Sequence, residues 1–241
     1  MFRGKVIIIA VLCSILLSGC NAFSQKNTDD SAKEAQPEID KDSAQARREE
    51  LWKYRYDDNV NQILLVTHTT GSDAKVEFYQ KNRDENNTWS LMFRSDAYVG
   101  VNGMGDTQEG SGKSPLGDFG IREAFGIRDN PGTALKYIQV KPTTYACDED
   151  SEYYNTIIDI EETGHKCNGE KMYLYTPEYN YGIATDTNPE NVYPNGSALF
   201  LHCKGTKPYT LGCVGLDEED MVTVIRCAEP GMRVFYSEMY K

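Results

Sequence analysis

Residues 196–221 read GSALFLHCKGTKPYTLGCVGLDEEDM, and the fold turns on how this stretch is read. Leu199–His202 is a short apolar run, expected to be a strand that delivers His202 at its end. A loop of lysine, glycine and proline follows. Gly212 and Cys213 then arrive just before a helix that starts at Asp217. Asp217 is expected to cap that helix, with Glu218, Glu219 and Asp220 in the first turn, where the helix dipole favours negative charge. Met221, Val222, Val224 and Ile225 supply its buried stripe, and Pro230 and Gly231 stop it.

Working outward, the pattern stays short and strand-like. Gln62–Thr69 is an apolar, β-branched run that suits a buried strand. Val76 and Phe78, then Trp89, Leu91 and Phe93, alternate with period two around Asn86 and Asn87, which reads as a hairpin. Further strands are expected at Phe119–Ile121, Lys136–Val140, Ile157–Ile160, Met172–Tyr175, Tyr181–Ala184 and Arg233–Tyr236, most of them separated by glycine or proline. Arg47–Tyr56 is expected to be one amphipathic helix, with Leu51, Trp52 and Tyr54 available for packing. The 20 glycines and 16 tyrosines fit a loop-rich, strand-rich domain better than a helical bundle. The expected class is mostly β, a sandwich or mixed sheet with one or two short helices.

A thiol is a weak nucleophile until it loses its proton, and an imidazole within reach can take that proton. Glycine before the cysteine allows a tight turn that brings amide N–H groups near a reacting carbonyl, where they stabilise an oxyanion. On residue types alone, Cys213 packed as a small hydrophobe explains the pattern slightly better.

Several ordered motifs go further. GSALFLHC and YTLGCVGL resemble the catalytic segment of the L,D-transpeptidase (YkuD-like) family, in the branch that reads GSAIFLH and TAGCVAL. EGSGKSPLGDFGIREAFG, residues 109–126, is similar to the family's GDGKTPTGxF segment. DEDSEYYN, residues 148–155, resembles an acidic Tyr-Asn segment before a strand, and Asn188 and Pro189 fall where that branch has them. The likeness runs roughly from Gly100 to Tyr236. It implies a largely β fold with Cys213 as nucleophile and His202 as general base. It further implies oxyanion donors from the backbone at Gly212 and Leu211, and Thr210 in support. The implied substrate is the peptidoglycan stem peptide. Cys213 would attack the carbonyl of its third residue, a thioester would form as D-alanine leaves, and an amine from a second stem would resolve it. Carbapenem β-lactams are the implied inhibitors, and no cofactor is implied. Water as acceptor would make the protein a carboxypeptidase or endopeptidase, and a catalytically inactive wall-binding protein is the third alternative. Two departures stand out. Leu211 replaces the histidine of the better-known motif, and Gly215 replaces the arginine thought to meet a substrate carboxylate. Lys113, Lys204 and Lys207 are candidates for that carboxylate, although such a lysine is more often simply a solvated surface charge.

The N-terminus carries a separate message. Arg3 and Lys5 precede an apolar run, Val6–Leu17, of the length of a secretory signal and too short to span a bilayer. Leu-Ser-Gly-Cys at 17–20 looks like a lipoprotein lipobox, so 1–19 is read as a signal peptide and Cys20 as lipid-modified. Two acyl chains there hold a protein on a membrane where one would not. Residues 20–46 are polar and read as a flexible tether, leaving 47–241 as the catalytic domain, exported and facing the cell wall. A net charge of −12 argues against nucleic acid as a partner. An oxidising setting makes a Cys147–Cys167 bridge plausible. Zinc on His165, Cys167 and Cys147 is disfavoured by spacing and a missing fourth ligand, so no metal is expected. If His202 faces the site, its neighbour Cys203 faces the core. A Cys203–Cys227 contact is a weaker expectation.

Overall fold

The computed structural model describes residues 49–239; the signal, Cys20 and tether assignments lie outside the described residues. Thirteen strands run β1 Gln62–Thr70, β2 Asp73–Asn82, β3 Thr88–Tyr98, β4 Gly117–Phe119, β5 Ile121–Gly126, β6 Tyr137–Gln139, β7 Thr144–Cys147, β8 Thr156–Asp159, β9 Glu170–Lys171, β10 Gly182–Thr185, β11 Phe200–Cys203, β12 Val214–Leu216 and β13 Arg233–Glu238. Two helices join them, α1 Ile160–Thr163 and α2 Glu218–Cys227, and residues 49–53 form a further helical segment. The protein is mostly β. Among the described residues no helix is long and apolar enough to cross a membrane.

Ten strands form one mixed sheet in the order β4-β13-β1-β2-β3-β12-β11-β10-β5-β6, and β8-β7-β9 form a second. The unbroken apolar run of β1 has a physical reason. Leu64 and Val66 pack into the main core while Ile63 and Leu65 pack into a smaller one on the opposite face, and a strand covered on both faces needs no polar alternation. Each such fully buried side chain contributes about 1.5–3 kcal/mol relative to exposure. Helix α2 lays Met221, Val224 and Ile225 on the main core, with Val222 only half-buried. Asp217 occupies its N-cap position, but its side chain makes no capping bond; the carboxylate accepts from Lys204 Nζ at 3.1 Å instead.

The strand expected over 172–175 is replaced by a 3-10 turn, Met172–Leu174, after the two residues of β9. Met172 is buried in the core beside the site while Leu174 is 71% exposed, a turn's geometry rather than a sheet's. The helix expected over 47–56 is helical only at 49–53 among the described residues. Lys81 closes that region by donating to the carbonyls of Tyr54 at 2.7 Å and Asp57 at 2.6 Å.

Candidate active site

Strands β11 and β12 are parallel neighbours, with Leu201 beside Val214, His202 beside Gly215 and Cys203 beside Leu216. That register puts Phe200 next to Cys213. Alternation then sorts the side chains. Leu201, Cys203, Val214 and Leu216 enter the main core. Phe200, Cys213 and Tyr179 share a second core on the other face, and the Tyr179 ring stands edge-on to His202 with centroids 5.6 Å apart. His202 and Cys213 therefore share a face, on adjacent strands and two residues out of step. Strand spacing of about 4.8 Å and a rise of about 3.3 Å per residue put their Cα atoms roughly 8 Å apart. The residue beside His202 is Gly215, so β12 itself puts no side chain at that register position.

His202 is buried, and its Nδ1 lies 2.7 Å from the Cys203 carbonyl. A carbonyl only accepts, so Nδ1 carries the proton and Nε2 is the bare, basic nitrogen. Burial lowers the imidazole pKa, opposed by that carbonyl and by Glu178. The ring rests neutral at pH 7.

The thiol has other partners. Cys213 Sγ donates to the Ala198 carbonyl at 3.1 Å and accepts from the Phe200 N–H at 3.3 Å. Among the described residues no hydrogen bond joins it to His202. Burial pushes the thiol up to about 12, Glu170 adds to the rise, and the Phe200 N–H opposes it. Glu170 is itself a buried carboxyl whose pKa burial raises, and it accepts a hydrogen bond from Tyr179. The resting pair is a neutral thiol and a neutral imidazole.

The backbone around Cys213 is clamped by two hydroxyls. Thr210 Oγ1 donates to the Cys213 carbonyl at 2.6 Å and accepts from the Gly212 N–H at 3.2 Å. Ser114 Oγ accepts from the Gly100 N–H at 2.9 Å and faces the carbonyls of Gly212 at 2.7 Å and Cys213 at 3.2 Å. Gly212 has φ +154°, and a Cβ there would meet Leu199 Cδ2 at 2.7 Å and the Lys113 carbonyl at 3.0 Å. Glycine is required by both space and conformation. The Gly212 N–H is thus already engaged by Thr210. Leu211 is 74% exposed, on the surface of the same turn.

The remaining residues singled out from the sequence fall elsewhere. Lys204 is held by Asp217 and lies over the Tyr98 ring, and Lys207 lies over Tyr209. Lys113 packs its stem near Gly105. Cys147 and Cys167 form a disulfide with Cα atoms 5.9 Å apart, which removes both as zinc ligands; among the described residues no group of three His, Cys, Asp or Glu is placed to hold a metal. Cys203 and Cys227 remain thiols. His165 bonds Glu149. Sequence reading missed Ser114, Asn155, Ala198, Glu170 and Tyr179 as site residues. Ser114, Asn155 and Ala198 carried a signal, since all three lie inside the motifs quoted above; Glu170 and Tyr179 did not.

This chain belongs to the L,D-transpeptidase catalytic-domain family, whose model matches residues 35–235. No curated protein matches. Similar solved structures include Pgp2, the helical cell shape determining protein of Campylobacter jejuni, at 16% identity and a TM-score of 0.38, covering 80% of this chain and 56% of that one. Another is L,D-transpeptidase 1 of Mycobacterium tuberculosis, at 10% identity and a TM-score of 0.33, covering 73% of this chain and 62% of that one. This chain therefore spans less than two thirds of either protein's length.

Proposed function

We propose that the protein is a cysteine-dependent L,D-transpeptidase acting on peptidoglycan stem peptides through a thioester, exported and held to the membrane through lipid on Cys20. The observation that carries this reading is the placement of Cys213 and His202 on one face of adjacent parallel strands, with the imidazole proton fixed on Nδ1. His202 Nε2 takes the thiol proton as Sγ turns from the Ala198 carbonyl. The thiolate attacks the carbonyl of the third stem residue, and the oxyanion is met by backbone N–H groups of the Leu211–Gly212 turn, the Gly212 N–H leaving Thr210 Oγ1 to do so. The tetrahedral adduct collapses as the C–N bond to D-alanine breaks, and His202 returns the proton to the leaving amine. An amine from a second stem then attacks the thioester, loses its proton to His202, and the thiol leaves.

The test is intact-mass analysis after incubation with a carbapenem. The wild type gains one β-lactam mass and Cys213→Ala gains none. Absence of an adduct on the wild type, with folding intact, ends the proposal. Purified stem peptides then assign the acceptor, since an amine acceptor gives dimers and water gives only trimmed stems.

A further inference from the structure

The carbonyl that receives the Cys213 proton belongs to a residue in a rarely occupied conformation. Ala198 has φ +50°, the left-handed region that residues with a Cβ enter at a cost. One buried side chain holds it there. Asn155 Oδ1 accepts from the Ala198 N–H at 3.2 Å. Its Nδ2 donates to the carbonyls of Thr187 and Asn188, both at 3.1 Å, and to Asn191 Oδ1 at 3.0 Å. Both ends of the carboxamide are thus engaged. The Asn155 backbone is fixed as well. Its N–H donates to the Cys147 carbonyl at 2.8 Å, and its own carbonyl accepts from Arg122 at 3.3 Å. Asn155 therefore ties the turn before β11 to the disulfide-bearing hairpin of the second sheet.

We propose that Asn155 is a positioning residue for the nucleophile: it holds Ala198 left-handed and so places the carbonyl that aims the Cys213 thiol. The inference rests on Cys213 being the nucleophile. It makes a demand that a purely structural role does not. A carbonyl can bond only the protonated sulfur, so it favours S–H over S⁻. Releasing Ala198 makes the thiol more acidic while it leaves the sulfur poorly aimed. Alkylation at a given pH then speeds up as acyl transfer slows down.

Two rates are measured on the intact chain by mass spectrometry: iodoacetamide alkylation against pH, with Cys213→Ala correcting for Cys203 and Cys227, and carbapenem acylation. In Asn155→Ala the alkylation profile moves acidward by about one pH unit, and acylation falls by about tenfold or more. Adding Ala198→Gly to Asn155→Ala recovers most of the acylation rate, because glycine enters the left-handed region without the steric cost. Should Asn155→Ala fail to fold, Asn191→Ala removes one partner of the carboxamide and shifts both rates in the same directions by less. An unchanged alkylation profile in whichever variant folds overturns the proposal, and so does a loss of acylation that glycine at 198 fails to restore. A wild type that alkylates on Cys213 but never acylates defeats the transpeptidase reading instead, and leaves the alkylation test of Asn155 standing.

Discussion

Replacing Ser114 by alanine should damage both stability and chemistry, by amounts that the hydrogen bonds set. Ser114 is fully buried, and its hydroxyl serves the Gly100 N–H and the Gly212 carbonyl, both on buried residues. The Cys213 carbonyl has Thr210 Oγ1 at 2.6 Å as a second donor, so it is not orphaned. Two buried backbone groups lose a partner, each costing about 1–3 kcal/mol. Partial relaxation brings the sum to about 3 kcal/mol. For a domain of this size, one kcal/mol moves Tm by roughly 2–4 °C, so Ser114→Ala should lower Tm by roughly 6–12 °C. The Gly212 carbonyl is also what keeps the cysteine turn in place. A displacement of about 1 Å there costs on the order of a hundredfold in rate, so carbapenem acylation should fall by one to two orders of magnitude. Circular dichroism melts and time-resolved intact mass measure both. Ser111→Ala is the control, because its hydroxyl accepts only from the Lys113 N–H at 3.3 Å. A Ser114→Ala protein that melts within a degree of wild type and acylates within twofold of it refutes the clamp.

Three further outcomes are expected. Glu170→Gln removes the carboxylate that helps hold the thiol near 12, so the alkylation profile of Cys213 should move acidward; in the wild type, alkylation should still be rising tenfold per unit above pH 9, and a plateau below that pH contradicts a neutral resting thiol. His202 titrates below its ordinary value when folded, so the unfolded chain binds its proton first as pH drops. The stability it contributes is present above about pH 6.5 and is lost as pH falls below that; Tm measured from pH 7.5 to 5 should decline less in His202→Asn than in the wild type. Removing the Cys147–Cys167 bridge, which joins residues 20 apart, as Cys147→Ser with Cys167→Ser, should cost about 3 kcal/mol and lower Tm by roughly 6–12 °C, read by differential scanning calorimetry with reductant-treated wild type alongside.

The elements legible in the sequence are those whose burial repeats over enough residues to show. The β2–β3 hairpin pairs over ten residues, its period broken by one bulge between Phe78 and Tyr79 that puts Phe93 and Leu91 on opposite faces, and α2 carries a stripe of four buried residues. Strand β12 went unread because it is three residues long with a glycine at its centre; its identity as a strand comes from pairing with β11 and β3. Strand β7 is four residues, all but one buried, which gives no period either. The site divides the same way. His202 and Cys213 announce themselves by chemistry and by motif. Asn155 acts on Ala198 across 43 residues of chain, and Glu170 reaches Tyr179 by folding of the second sheet, so neither role has a local signature.

A neutral resting thiol has a consequence for how the site works. Thiolates are what oxidants attack, and the exported setting proposed for this protein is oxidising. A thiol held near 12 by burial and by Glu170 presents almost no thiolate at pH 7. The cost falls on the reaction, since neither the buried sulfur nor the lowered imidazole favours an ion pair before substrate arrives. Substrate must therefore change the balance itself. The turn of Sγ from the Ala198 carbonyl toward His202 removes a hydrogen bond that favours the protonated form, and the polar groups of a bound stem replace an apolar surround, which lowers the desolvation that raised the thiol. On this reasoning alkylation of Cys213 by a small neutral reagent near pH 7 should be slow in the free protein. It should rise several-fold when a non-cleavable stem peptide is bound at partial occupancy, followed by mass spectrometry at fixed pH. If the stem peptide only protects the thiol at every occupancy, substrate does not activate it.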